Sequence, residues 1–487
     1  MSFNPADLAY LIPYLILAVV GMALVLAEAF YKGQDRSALV GLTVAGAIAA
    51  AVASVVLYRQ IGDQRIAVLG EMLLADKTSY ILSALFSVVT AFAALMSPAH
   101  QREHEWQIGE YYGVMLLSAS GMVMLAHAAN LVTIFLGIET MSIGVYVMCA
   151  MRRRSRRGNE AAMKYFLIGA FSTGFLVYGM ALLYGAAGTS SLIRMQTAIA
   201  QTSNPGLVIA GAFMLVVAFG FKVAAVPFHM WAPDAYEGAP TPVTAFMAAA
   251  VKAAAVAAMI RVFGLALGGE VIPFGTMGWA SPMVVIAAVT ITIGNISAIR
   301  QDNIKRMLAY SSISHGGVLL VGVCALGLGS TSANGALVYY LIAYSFTTMG
   351  AFAIVAYVGS RGRERLMVDD WAGLGSQHPS IALAMTVLLL SFGGIPPTGG
   401  FFGKFYIFKS AMEVYDGQLI WLVIVGVVNS AISIYYYLRI VTAMYFKEAN
   451  QPFAPTRSGG LLFVIAVCPL LILELGIMPG WWLKLVG

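Results

Sequence analysis

Four ionisable residues, Glu139, Lys222, Lys252 and Lys404, lie inside long apolar stretches of this chain. A charge in the hydrocarbon core of a membrane costs several kcal/mol, so such residues are rare there and usually mark an ion path. One carboxylate and three lysines are the groups that a proton relay needs. Out of water, a lysine can lose and regain a proton near neutral pH, and a carboxylate that approaches or withdraws would drive the exchange. Arginine could not serve, because it keeps its proton. His315, within Ala309-Tyr310-Ser311-Ser312-Ile313-Ser314-His315, places an imidazole among hydroxyls, which also suits proton transfer. Each has a plainer reading. Glu139 and Lys222 could be a static pair that ties two helices, and His315 could be a satisfied core histidine. Three lysines and a glutamate along one chain favour the relay over the tie. His229, just after Pro227, fits a proton inlet path and a structural role equally well.

The elements that must hold these residues follow from composition. The chain has 487 residues, 60% hydrophobic and 10% charged, with a mean hydropathy of +0.84. That excludes a soluble domain. Lipid tolerates only helices or closed barrels, and the apolar runs here are continuous and helix-length, not short and alternating. The expectation is an all-α polytopic membrane protein. The net charge of +6 reflects loop anchors, not nucleic-acid binding.

At about 20 residues per span, fourteen spans are expected: 8–29, 38–58, 78–97, 111–129, 131–151, 161–186, 206–231, 243–266, 279–299, 304–326, 334–358, 380–412, 417–443 and 460–482. Basic residues set the orientation. Arg152 to Arg157 follow span 5, Arg300, Lys305 and Arg306 follow span 9, and Arg361, Arg363 and Arg365 follow span 11. The loops after spans 4, 8, 10 and 12 hold no Lys or Arg. The positive-inside rule puts the odd-numbered loops in the cytoplasm and both termini outside. The first span has no basic leader and no small-residue cleavage site, so it reads as retained. With no Arg-rich transit sequence, a bacterial or organelle-encoded membrane protein is favoured.

Spans 7 and 12 carry breakers. Span 7 holds Lys222 and Pro227; span 12 holds Pro396, Pro397 and Lys404. Proline removes a helix hydrogen bond and clashes with the preceding turn. The freed backbone is tolerated at membrane depth only inside protein or beside water. Both are the fourth member of a five-span block, spans 4–8 and spans 9–13, which start on opposite sides. This predicts inverted repeats with ion sites at discontinuous helices 7 and 12. The expected divisions are 1–110 (three spans), 111–266 (first repeat), 267–443 (second repeat) and 444–487 (last span).

Other residues carry less. His100 and His104, beside Glu103 and Glu105, could hold a metal, but a solvated loop is the expected reading. Cys149, Cys324 and Cys468 lie in apolar segments without CxxC spacing, which predicts packing and neither a disulfide nor a metal site. Glu28 and Glu474 lie near span ends and read as structural. The Arg152 to Arg157 run reads first as a topology anchor and second as a contact for anionic lipid. No nucleotide-binding signature is found.

Three segments carry a resemblance: Phe221 through Val243 (FKVAAVPFHMWAPDAYEGAPTPV), Tyr310 through His315 (YSSISH) and Gly393 through Phe401 (GGIPPTGGF). They are similar to the signatures of the antiporter-like subunits of proton-pumping NADH:quinone oxidoreductase, respiratory complex I. The likeness covers nearly the whole chain. Of the L, M and N types, Ala75 to Tyr80 and Glu160 to Phe171 are N-like, Lys404 is a lysine where type M has glutamate, and the lateral helix of type L is lacking. The resemblance implies that Glu139 and Lys222 form the input pair, Lys252 the central relay and Lys404 the exit-side carrier, with His315 on the connecting water chain. It implies no flavin, iron–sulfur or quinone site here; NADH, FMN, the clusters and quinone would belong to other subunits. Neighbours would be subunits K and M and the lateral helix of L, in a bacterial inner membrane. The alternative is a subunit of a multi-protein sodium/proton antiporter. A third reading is an assembly scaffold with static charge pairs.

Overall fold

The computed structural model describes residues 4–486 apart from 31–32, 34, 270–277, 360–361, 363, 450–451 and 457. Arg361 and Arg363, two of the predicted anchors, lie outside the described residues. The first half of the chain contains α1 (Ile12–Phe30), α2 (Ser37–Ile61), α3 (Lys77–Glu103), α4 (Glu110–His127), α5 (Leu131–Ala150) and α6 (Arg156–Ala187). Next come α7 (Leu192–Ala200), α8 (Pro205–Lys222), α9 (Trp231–Gly238), α10 (Thr241–Phe246) and α11 (Lys252–Arg261). The second half contains α12 (Ala280–Ile299), α13 (Ile304–Gly327), α14 (Ala333–Val358), α15 (Leu374–Gln377) and α16 (Pro379–Gly393). It ends with α17 (Gly399–Met412), α18 (Ile420–Phe446), α19 (Gly459–Ile477) and α20 (Pro479–Val486). A two-stranded hairpin, β1 (Ile66–Val68) and β2 (Leu73–Ala75), pairs antiparallel between α2 and α3.

Among the described residues, twelve helices are long and apolar enough to cross a membrane. They include α10 and α11, which run on through π-helical turns as one rod, Thr241–Ala266. The other two expected spans fall on the 18-residue α4 and on the broken pair α16 and α17. The interior rods, Thr241–Ala266 and α14, are wholly buried across their apolar windows. Outer helices turn large apolar side chains outward, such as Val19 on α1, Phe171 on α6 and Phe446 on α18. That inverted surface is what a lipid solvent requires.

Polar residues punctuate the apolar runs. Asp76 caps α3, accepting from the Ser79 backbone N–H at 2.8 Å while Ser79 Oγ returns the bond. Asn130 caps α5 and Asn303 caps α13. Inside α3, Ser83, Ser87, Thr90 and Ser97 donate to carbonyls one turn back, so each hydroxyl is satisfied without water.

Some expectations need correction. α3 runs to Glu103, not to residue 97. Pro98 costs one backbone bond, but the packed helix carries through it. His100 is therefore a buried helical residue in the last turn, not part of a solvated loop. Lys305, counted as a loop anchor, is fully buried on the first turn of α13, and Arg156 and Arg157 open α6.

Contacts at the chain reversals sort them into two ends. At one, Arg157 approaches Glu237, Arg306 pairs with Glu237 and Asp234, and Glu364 meets both Lys305 and His100. At the other, Asp76 pairs with Arg261, Gln196 donates to the Gly268 carbonyl, and Asn334 donates to Thr78.

Candidate functional site

The two broken helices are built alike. α8 ends where Ala224 takes a left-handed conformation (φ +58°) and the Ala225 N–H bonds to the Gly220 carbonyl at 2.7 Å. α16 ends where Gly394 does the same (φ +75°) and the Ile395 N–H bonds to the Leu390 carbonyl at 3.0 Å. Left-handed φ is free for Gly394 and costly for Ala224. Pro227 and Pro397 follow at matching positions, each after a cis peptide bond. The lysines do not match. Lys222 is the last residue of α8, before its break; Lys404 lies on α17, after its break.

Lys222 is buried and donates to Ser142 Oγ at 2.8 Å and to Tyr146 Oη at 3.4 Å. Both acceptors are on α5, one and two turns beyond Glu139. Glu139 itself is part-buried and accepts from Thr173 Oγ1 of α6 at 2.7 Å. Among the described residues, no direct ion pair joins the two residues expected to pair. The Ser142 and Tyr146 hydroxyls occupy the lysine instead.

Lys252, also buried, follows the π-helical turn Met247–Val251 and donates to the Ser312 carbonyl and hydroxyl. Its ammonium lies 5.5 Å from the Tyr344 ring centroid. Ser312 Oγ also contacts Tyr236 Oη at 3.1 Å and Tyr344 Oη at 2.8 Å. Gly316 makes the approach possible. A Cβ there would stand 2.7 Å from the Val223 carbonyl in the first break and 3.7 Å from Lys252 Nζ.

His315 lies one turn above Ser312 on α13. Its Nδ1 is 2.5 Å from Tyr340 Oη and its Nε2 3.3 Å from Tyr437 Oη, which in turn bonds Ser311 Oγ. Its ring is 5.1 Å from that of Tyr344. A small cavity lined by Asn295, Ser314, His315, Lys404 and Ser433 joins His315 to the last lysine. Lys404 Nζ donates to the Phe392 carbonyl at 2.9 Å and to that of Gly393 at 3.3 Å. Those carbonyls end α16, where the helix dipole favours a cation.

The chain matches the NADH:quinone oxidoreductase/Mrp antiporter transmembrane family over residues 128–433. It is 43% identical to NADH-quinone oxidoreductase subunit N of Trichlorobacter lovleyi, covering 93% of this chain and 90% of that one. The chain belongs to the subunit N family of NADH-quinone oxidoreductase. Its fold matches a chain of respiratory complex I from Thermus thermophilus with TM-score 0.81 at 31% identity, covering 98% of this chain and 100% of that one. A chain of the Mrp complex from Dietzia sp. has the same fold at TM-score 0.83 and 20% identity, covering 99% and 96%. The subunit N family is an antiporter-like, multi-pass membrane part of complex I, so the partners of this chain are other complex I membrane subunits.

Within this subunit N chain, Lys222, Lys252, His315 and Lys404 form a line of near neighbours. Pro227, Pro396 and Pro397 lie at the breaks. Glu139 stands at one margin. His229 sits in the first break, part-buried, its Nδ1 without a partner among the described residues. Sequence reasoning missed the hydroxyls that carry the line. Serine and tyrosine inside apolar helices look unremarkable until folding aims them at a lysine. It also missed the buried groups at the two ends. Arg261 forms a two-pronged bond to Asp76 at 2.7 Å. Burial pushes the Asp76 carboxyl up, but Arg261 outweighs it and holds it at about 2. Lys305 bonds the Ala239 carbonyl at 2.8 Å and lies 3.5 Å from Glu364. Burial pushes Glu364 up; Lys305, His100 and Thr241 hold it well below the usual carboxylate range.

Proposed function

We propose that this chain carries protons across the membrane through Lys222, Lys252, His315 and Lys404, driven by quinone reduction elsewhere in complex I. One observation carries the reading: these three lysines, unlike the buried Lys305, are held by hydroxyls and backbone carbonyls, with no carboxylate within ion-pair distance among the described residues. A static tie would pair each cation with an anion, because an unpaired buried charge is costly. Neutral oxygen ligands hold an ammonium yet let it release its proton. Glu139 is then the movable input charge, one turn from the hydroxyl that holds Lys222. His229 is a candidate for the inlet.

The inverted repeat belongs to the same proposal. The paired breaks support it, and so does a backbone coincidence. Leu131 N–H bonds the Ser190 carbonyl and Leu192 N–H bonds the Ala129 carbonyl; Ile304 N–H bonds the Leu366 carbonyl and Val368 N–H bonds the Asp302 carbonyl. Thus α5 and α13 start in the same bridged turn. Counted from there, Ser142 and His315 are equivalent positions. The lysine ligand of the first repeat stands where the second has its imidazole. Fourteen spans, with repeats at 111–266 and 267–443, follow from this reading.

The finer setting is proposed likewise: a bacterial inner membrane, both termini periplasmic, subunits K and M and the lateral helix of L as neighbours, and flavin, clusters and quinone on other subunits. The test uses membrane vesicles bearing Lys222→Ala in a complex shown by native gel to assemble. Loss of both NADH oxidation and proton uptake supports the relay. Normal values for both reject it. The likeness to the Mrp complex chain favours one second reading, sodium/proton antiport, which predicts sodium-dependent proton flux that ignores NADH.

A further inference from the structure

We infer that His100, His104 and Glu364 form a binding site for a divalent metal ion with zinc-like preferences, at the end of the bundle that also holds Lys305. His100 and His104 are four residues apart where α3 closes, so both imidazoles leave the same helix face. Their ring centroids are 4.3 Å apart. Glu364 comes from the segment between α14 and α15, and its Oε1 lies 3.2 Å from His100 Nε2. One ring nitrogen from each histidine and one Glu364 oxygen lie within 4.8 Å of one another. Two imidazoles and a carboxylate are a common zinc ligand set, leaving a fourth position for water.

A second observation points to a ligand. His100 is only 4% exposed, yet its Nδ1 has no hydrogen-bond partner among the described residues, and neither has Nδ1 of His104. Two ring nitrogens without partners, on imidazoles whose centroids are 4.3 Å apart, are poor packing but good coordination chemistry. Buried polar atoms almost always find a partner, and an exception asks for an ion or a water. Trp106, 5.9 Å from His100, closes the apolar side, while half-buried His104 gives access. The carboxylate is already oriented: Thr241 donates to its Oε1 and Lys305 lies against its Oε2. Such outer bonds commonly hold a ligating carboxylate. The Lys305 charge also opposes the metal, so the site should bind more weakly than one without a neighbouring cation. A bound ion would fasten the end of α3 to the segment that leads from α14 towards α16.

The test is equilibrium binding of radioactive zinc to the purified, assembled complex. The native complex should bind one more zinc per complex than the His104→Asn form, and His104→Cys, which restores a zinc ligand, should regain it. Glu364→Gln is the second variant, expected to weaken binding at this site at least tenfold. Equal zinc binding in the native, His104→Asn and Glu364→Gln complexes overturns the inference.

Discussion

Lys222 donates to Ser142 at 2.8 Å, one turn along α5 from Glu139, instead of meeting the carboxylate itself. The distinction matters for mechanism. A direct Glu–Lys pair would hold both charges firmly. A hydroxyl between helices is both donor and acceptor, so it can stabilise the ammonium and also accept a neutral amine. Thr173 of α6 meanwhile donates to Glu139 at 2.7 Å. A small turn of Glu139 toward or away from Lys222 would change the field at the lysine without breaking its hydrogen bonds.

Lys222→Ala should therefore abolish most proton uptake and NADH-driven turnover, whereas Ser142→Ala should only weaken them. Lys222→Arg should match the alanine variant, because arginine keeps the charge but holds its proton. Both activities are read in vesicles after assembly is confirmed. Full activity for the arginine form would mean that fixed charge alone is required.

Much of this was legible in the chain. Apolar runs, buried charges and prolines located the helices, both breaks and the lysines, because lipid leaves no other solution for such sequences. Three things were not legible. Glu139 and Lys222 are both ionisable and near in depth, so pairing seemed natural; only the folded interface reveals Ser142 and Tyr146 intervening. Lys305 sits among basic residues near a span end, where charge statistics cannot tell an anchor from an interior residue. His100 lies past residue 97, where the third span was expected to end. Tertiary packing overrode all three.

Gly316 should be intolerant of any side chain. A methyl group there would meet the Val223 carbonyl at 2.7 Å and crowd Lys252. Gly316→Ala should cost about 1–3 kcal/mol through overpacking and lower proton uptake more than assembly. Quantitative native gels beside proton-uptake assays check the order of those two losses. Equal activity per assembled complex would show that the break and Lys252 are not mechanically joined.

Lys404→Arg and Lys404→Ala should separate structure from transport. Lys404 supplies donors to the Phe392 and Gly393 carbonyls at the end of α16. Alanine removes both bonds, each worth about 1.5–3 kcal/mol for a charged donor, and should lower thermal stability. Arginine can keep them. Both variants should lose proton uptake, the arginine form while keeping near-native melting. An arginine variant that pumps normally would reduce Lys404 to a tie across the break.

The Asp76–Arg261 bond should make this end of the bundle acid-sensitive in a defined window. Its loss leaves a buried guanidinium, so Asp76→Asn should destabilise the subunit by about 3–5 kcal/mol near neutral pH. The Asp76 carboxyl is held at about 2 in the fold, below its ordinary 3.8. A depressed carboxyl contributes stability that is fully present above the ordinary value and fades as pH falls toward the folded one. The native-minus-variant difference in melting temperature should thus stay constant from neutral pH down to about pH 5 and shrink only below about pH 4. Melting of the two purified complexes across that range measures it. A difference that changed between pH 8 and pH 6 would mean that another group controls this end.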